Sequence, residues 1–356
     1  MMNKGTAVGE EFRDDLRLLV TPSAPRPGAG NTEARRLLSQ AELAPLTELS
    51  DWRSVGAVAL TAAVISFAIA FGVAVWPSPW IALSVVVVGV QQHAMFILAH
   101  ESAHYRLFRW RILNDAVGRA IGMASGISMC TYRVIHRLHH NNLYTDEDPD
   151  TAIHGGYPRG VAYLWKKLAL DLVGLNSWKT FAYFFGAPAL NADTNRAARP
   201  LDDTSPALRA SARKDRWAVV AFQLGAPLVM LAMGGVQALA QYLVFWLLPL
   251  LTVLQPILRL RAIAEHGAVS DLSSPLTAAR SNRTGSSPGN VLGRALLFPH
   301  HVNYHLEHHL YPAVPHYRLP ALHRLLNDKG ALAGAEVRDL ADTMRTVFAP
   351  RRREVA

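Results

Sequence analysis

Polar and apolar positions along the chain fall into long blocks rather than short alternations. Residues 1–50 are polar, with Pro22, Pro25, Pro27 and scattered arginines. No basic start runs into an apolar stretch, so no cleavable signal peptide is expected. The segment reads as a cytosolic lead, partly disordered. An apolar run over about 55–76 follows, broken by Trp76-Pro77-Ser78-Pro79-Trp80, and a second covers about 80–98. Each is long enough to cross a hydrocarbon core of ~30 Å as a helix. The short uncharged turn between them predicts a tight hairpin, with Trp76 and Trp80 suited to an interfacial aromatic belt. A second pair, 217–233 and 236–258, is joined by Gly234-Gly235, and Pro249 and Pro256 should bend or end its last helix early. Two further stretches, 112–129 and 163–185, are apolar but interrupted by Asn114, Asp115, Arg119, Lys166, Lys167, Asp171 and Lys179. They read as interfacial amphipathic helices. Residues 191–216 and 270–290 read as polar connections, and no internal repeat is visible. The expected fold is all-α: a polytopic membrane protein with two transmembrane helical hairpins (four spans) and a cytosolic helical cap. The membrane domain would cover residues 51–325, and 326–356 would be a cytosolic basic tail.

Composition supports this picture. Of 356 residues 50% are hydrophobic and only 18% charged, against about 25% charged in a typical soluble domain. That excludes a disordered chain. The net charge of +9 then reads as an orientation signal rather than as a nucleic-acid surface. Arg35, Arg36 and Arg53 precede the first span; Arg106, Arg109, Arg111 and Arg119 follow the second. Lys214 and Arg216 precede the third, and Arg259 and Arg261 follow the fourth, while both hairpin tips are uncharged. The positive-inside rule puts both termini and residues 100–216 in the cytosol of an inner (plasma) membrane protein. Asn282-Arg283-Thr284 fits a glycosylation sequon, which this topology makes cytosolic, and Arg351–Arg353 reads as a solvated tail.

The chemistry lies in histidine. There are 15 His and one Cys, Cys130, so cysteine-ligated zinc and iron–sulfur sites are excluded. Residues 100–104 read HESAH, 136–140 HRLHH, 264–267 AEHG and 305–309 HLEHH. Spacings of three and four put side chains on one helix face. The candidate ligands are therefore His100, His104, His136, His139, His140, His266, His305, His308 and His309, all on the expected cytosolic side. Nine imidazoles are too many for one metal. Two six-coordinate metals accommodate them and keep open positions, with iron favoured because those positions allow oxygen activation. His154, His316 and His323 read as structural or surface residues. His93, seven residues before His100, is a candidate for a pocket role, and His300 and His301 are ambiguous.

These boxes, in this order and with spans between, resemble the membrane fatty acid desaturase family. Membrane alkane hydroxylases and carotenoid ketolases share related patterns. The flanks agree: HRLHHNNLYTDEDPD (136–150) and NYHLEHHLYPAVPHYRLPALH (303–323) are similar to the second and third boxes with their sequels. AEHG resembles the extra histidine before the third. The resemblance covers about residues 55–325. It implies a non-haem diiron centre on the nine histidines, O2 as co-substrate and a lipid or acyl substrate. Desaturation is the leading outcome, with hydroxylation or ketonation as the alternative. Glu101, Asp148, Asp150, Glu265 and Glu307 are candidate outer partners that fix imidazole tautomers. With one cysteine and no haem-binding extension, electrons must come from an external ferredoxin- or cytochrome-type donor, and no nucleic-acid partner is expected. A rival reading takes His100-Glu101-Ser102-Ala103-His104 as the H-E-x-x-H of a membrane zinc metalloprotease, which leaves seven histidines unexplained. A metal carrier would place its ligands within the spans, where only His93 lies.

Overall fold

The computed structural model describes residues 37–145, 148–187, 201, 204–272, 274–285 and 287–350. Helix α1 (Gln40–Thr47) begins at a capping box, in which Ser39 and Glu42 each satisfy the other's backbone N–H. Leu38 and Leu46 pack with Leu306, Leu310 and Leu322. Part of the expected lead thus belongs to the packed body; its residues 1–36 lie outside the described residues.

Helices α2 (Asp51–Ala74) and α3 (Ile81–Ala103) form the first antiparallel pair. One face of α2, with Thr61, Ile65, Ala68 and Gly72, is buried at three- and four-residue intervals. The opposite face leaves Trp52, Leu60 and Phe67 exposed. Gly72 permits the contact: a Cβ there would lie 2.4 Å from the Phe245 ring and 2.6 Å from Ser84 Oγ. Helix α4 (Arg111–Ser125) ends at Gly126, whose φ of 75° makes a left-handed C-terminal cap, and α5 (Met129–Asn141) follows. The expected interfacial helix over 163–185 is two helices, α7 (Val161–Leu172) and α8 (Ser177–Phe184), after a single turn α6 (Thr151–His154). The break falls at Gly174, whose φ is 80° and where a Cβ would stand 3.1 Å from the Leu251 carbonyl. Trp165, Val173, Leu175 and Trp178 stay exposed there.

Helix α9 (Pro206–Tyr242) starts inside the stretch expected to be a polar connection. Its polar first turns are held by packing: Ala212 and Asp215 are buried, and Asp215 accepts from the Ser128 hydroxyl (3.0 Å) and the Cys130 N–H (2.9 Å). A carboxylate is thereby set at the N-terminus of α5, where the helix dipole favours it. The glycine pair interrupts α9 with non-helical dihedrals. Gln223 and Trp246, equally far on either side, both donate to the Ala124 carbonyl, so the chain turns back on itself there. A π turn (Leu243–Leu247), α10 (Leu248–Leu251) and α11 (Leu254–His266) complete the returning limb. The prolines bend it without ending it at 258. The helix breaks at Thr252 and resumes with Pro256 in its first turn, where a missing N–H costs nothing. Asp51–Ala74, Ile81–Ala103 and Pro206–His266, the last containing the glycine turn, are long and apolar enough to cross a membrane.

The remainder comprises β1 (Ser281–Arg283), α12 (Pro288–Leu297), α13 (His305–Leu310), α14 (Leu319–Asp328), β2 (Val337–Asp339) and α15 (Leu340–Val347). The fold is therefore predominantly helical rather than purely so. β1 and β2 pair in parallel with Ser281 opposite Val337, and polar three-residue strands leave no sequence signal. Packing continues past residue 325: Leu340 joins Ile97, Ile257 and Phe298, while Val347 is buried against Leu164 and Ile263. Asn282 is buried and donates to the Ala264 carbonyl, so the sequon is not an exposed acceptor. Arg351–Arg353 lie outside the described residues.

Candidate metal centre

Four elements deliver the nine histidines to one place. The last turn of α3 carries His100, and His104 is its C-terminal cap residue. Helix α5 carries His136, His139 and His140; α11 ends on His266; α13 carries His305, His308 and His309. The last three elements are secured by polar contacts. Asp215 anchors the start of α5. Arg280, fully buried, donates to the Ala264, Gly267 and Ala268 carbonyls at 3.2, 3.0 and 2.9 Å and to Glu336 at 3.0 Å, so it holds the end of α11. The Tyr144 hydroxyl donates to the His266 carbonyl. Glu307 accepts from Ser281 and from His323 Nδ1, which fixes α13.

The nine rings divide into two groups whose ligand atoms lie within 4.8 Å of one another. One is His100, His104, His136, His140 and His308; the other is His139, His266, His305 and His309. In both, Nε2 atoms face each other. His136 is 2.8 Å from His104, His140 is 3.0 Å from His136, and His308 is 3.1 Å from His140. In the second group His305 is 2.8 Å and His139 3.2 Å from His266. A neutral imidazole has one N–H and one lone pair, so convergent nitrogens of this kind suit a cation between them. Two of the rings turn Nδ1 to an acceptor outside the groups: His139 donates to Asp148 at 2.9 Å and His266 to the Ala278 carbonyl at 3.2 Å. This arrangement leaves Nε2 free to ligate.

Burial holds His104, His136, His140, His305, His308 and His309 well below the ordinary imidazole pKa, in the neutral form that binds metal. Burial pulls His139 the same way, but the Asp148 and Asp150 carboxylates outweigh it and hold that ring up to about 9, so a cation on its Nε2 would displace a proton.

The expected outer carboxylates have distinct partners. Asp148 accepts from His139 and from the Tyr144 and Asp150 backbone N–H groups. Asp150 stands 3.6 Å from His139 Nδ1 and accepts from the Tyr183 hydroxyl. Glu101 lies 3.6 Å from His100 Nδ1 and accepts from the His316 N–H at 2.9 Å. Glu265 lies 3.6 Å from His305 Nδ1 and pairs with Arg261 at 2.8 Å. Glu307 acts on α13 rather than on an imidazole of either group.

The other histidines separate from the nine. His93 is fully buried and donates to the Leu296 carbonyl at 3.2 Å. His300 sits beside Thr61 and the His316 ring, and His301 is exposed. His154, read from the sequence as structural or surface, instead adjoins the centre and forms a third close set with His139 and Asp148. Sequence reasoning missed Arg280 altogether, because an arginine in a polar connector carries no motif.

A cavity of about 380 Å³ reaches both groups, touching His100, His136, His139, His266 and His305. The family model described as fatty acid desaturase matches residues 74–341. Dihydrorhizobitoxine desaturase of Bradyrhizobium elkanii is 26% identical over 243 residues. The match covers 67% of this chain and 65% of that protein, so the chain spans just under two thirds of that relative's length.

Proposed function

The chain belongs to the fatty acid desaturase family, and from that premise we propose that it is an oxygen-dependent membrane diiron desaturase acting on a lipid or acyl substrate. The observation that carries this reading is the pair of buried imidazole groups with inward-facing nitrogens. One iron would be held by His100, His104, His136, His140 and His308, the other by His139, His266, His305 and His309. When bound, the iron pair supplies O2 activation and hydrogen removal from an unactivated C–H bond. In the overall balance, two hydrogens leave neighbouring carbons, O2 takes up two electrons and two protons, and two waters form. The chain's own part is to hold Nε2 inward through Asp148 and the Ala278 carbonyl, to exclude bulk water, and to seat the substrate in the adjoining cavity. Hydroxylation and ketonation use the same scaffold and differ in what the substrate loses and gains.

The proposed topology has four spans, because the glycine turn divides the long third stretch into two limbs. The arginine pattern puts both termini and the metal centre on the cytosolic side of the inner membrane. The membrane domain would then run on through the packed segment ending at Val347, instead of stopping at 325. An external ferredoxin- or cytochrome-type protein would bring the electrons. A zinc protease reading is disfavoured because His100 and His104 are gathered with three further imidazoles.

The test is the purified protein in lipid nanodiscs with an electron donor and O2, assayed on fatty acyl substrates and on dihydrorhizobitoxine. Two irons per chain and a product two hydrogens lighter are expected. His139→Ala and His308→Ala should each lose iron and product. Normal iron with undiminished product formation in either variant overturns the ligand assignment, and a single zinc per chain overturns the diiron reading.

A further inference from the structure

The wall of the cavity beside the four-histidine group is mostly apolar, but it also carries buried polar groups. Apolar side chains such as Phe96, Ile153 and Leu258 share its lining with many polar ones. Several of the polar groups answer each other: Thr180 donates to Gln255 Oε1 at 2.6 Å, Arg259 pairs with Asp171, and Arg261 pairs with Glu265. His154 has no such answer and, unlike His100, is not one of the nine candidate ligands. It is 1% exposed, and neither ring nitrogen has a hydrogen-bond partner. Its ring lies beside His266 with centroids 4.8 Å apart and beside Tyr144 at 4.9 Å. A buried polar group left unpaired is costly and calls for a partner that arrives from elsewhere. The cavity is where such a partner would sit.

The neighbourhood also sets the partner's polarity. His154 Nε2 is 3.8 Å from Asp148 Oδ2. That is beyond hydrogen-bond reach, but it is near enough for the carboxylate to favour the tautomer with the proton on Nε2. Nδ1 is then an acceptor. A third cation between His154, Asp148 and His139 is the competing use of the same atoms. His139 Nδ1, however, already donates to Asp148 at 2.9 Å and has no lone pair to give there.

We infer that His154 is a substrate-binding residue, and that the substrate carries a hydroxyl or amino group, a hydrogen-bond donor, close to the carbons that lose hydrogen. This rests on the desaturase reading and narrows its substrate from a plain acyl chain to a functionalised one. A site built around a buried polar group rejects an analogue that leaves it unpaired far more strongly than an apolar pocket rejects a missing methylene.

The experiment measures binding without turnover, on the iron-loaded protein under anaerobic conditions. The probes are octanoate, hexadecanoate and their monohydroxy and monoamino derivatives, with the polar group walked along each chain. The readouts are Kd and the ligand-induced change in the iron spectrum. Wild type should prefer at least one derivative over its parent acid by tenfold or more. That preference should vanish in His154→Phe, which keeps an aromatic ring, and return in part in His154→Gln, which restores an acceptor. Parent acids binding as tightly as every derivative would overturn the inference, as would a preference unchanged in His154→Phe. A third metal per chain that is lost with His154 would also overturn it. Iron content and product mass of the wild type test the desaturase reading separately, so failure of one is distinguishable from failure of the other.

Discussion

Around Gly72 the long helices meet through close, mostly apolar packing, the Phe245 ring and the small Ser84 against backbone that lacks a Cβ. Around His100 and His266 the helix ends meet through polar groups, most of which face a named partner. At the apolar end, what counts is size: any side chain that fills the same space without overlap serves, because burial of apolar area has no direction. At the polar end direction decides, because a misplaced donor or acceptor in a dry interior costs more than the bond it replaces. Stability at one end and chemistry at the other therefore answer to different kinds of substitution.

The sharpest way to break this contrast is Arg280→Met. It keeps apolar bulk but strips three carbonyls and Glu336 of their donor, and breaking a buried pair in this way costs about 3–5 kcal/mol. Thermal unfolding should show the loss, with iron content falling as the end of α11 loosens; an unchanged melting temperature would show that size suffices here too. Asp148→Asn comes next. It is nearly isosteric and should leave the fold intact while weakening iron affinity by ~10–100-fold, as loss of an imidazole's outer partner does. Chelator competition measures it. Gly72→Val probes the other end, where overpacking should cost about 1–3 kcal/mol with iron affinity unchanged. The smallest effect is expected at Lys329, which donates to the exposed Glu42 at 2.8 Å. Lys329 and then Ser39 hold Glu42 at about 2, below its usual 4.5. A depressed carboxyl stabilises the fold above its unfolded pKa and ceases to do so as pH falls through the folded value. Lys329→Ala should therefore lower the melting temperature only slightly at pH 7, and that small difference from wild type should disappear as pH falls from about 4.5 to 2. A large drop at pH 7 would show that exposed polar contacts matter as much as buried ones.

How much of this was legible beforehand depended on sequence separation. The box spacings were readable because three and four residues place side chains on one helix face whatever lies around them. The turn at Gly234-Gly235 was readable because Gly235 adopts a φ of 64° that other residues disfavour. The early start of α9 was not, because its first turns are polar and their reason is Asp215 meeting α5, 85 positions away from Cys130. Nor was the break at Gly174, which follows from the Leu251 carbonyl passing close by. His154 looked like an ordinary histidine because nothing local distinguishes a solvated ring from one buried against His266.

By itself, the sequence determined the apolar lengths, the helical register of the histidine boxes and the charge asymmetry at the helix ends. All three arise from a residue and its near neighbours. The tertiary structure alone decided how nine imidazoles divide into five and four, that Arg280 and Glu336 lock the end of α11, and that His154 lines the cavity without a hydrogen-bond partner. Each of those depends on which distant segments share a dry interior, where the position of a single donor or acceptor settles the outcome.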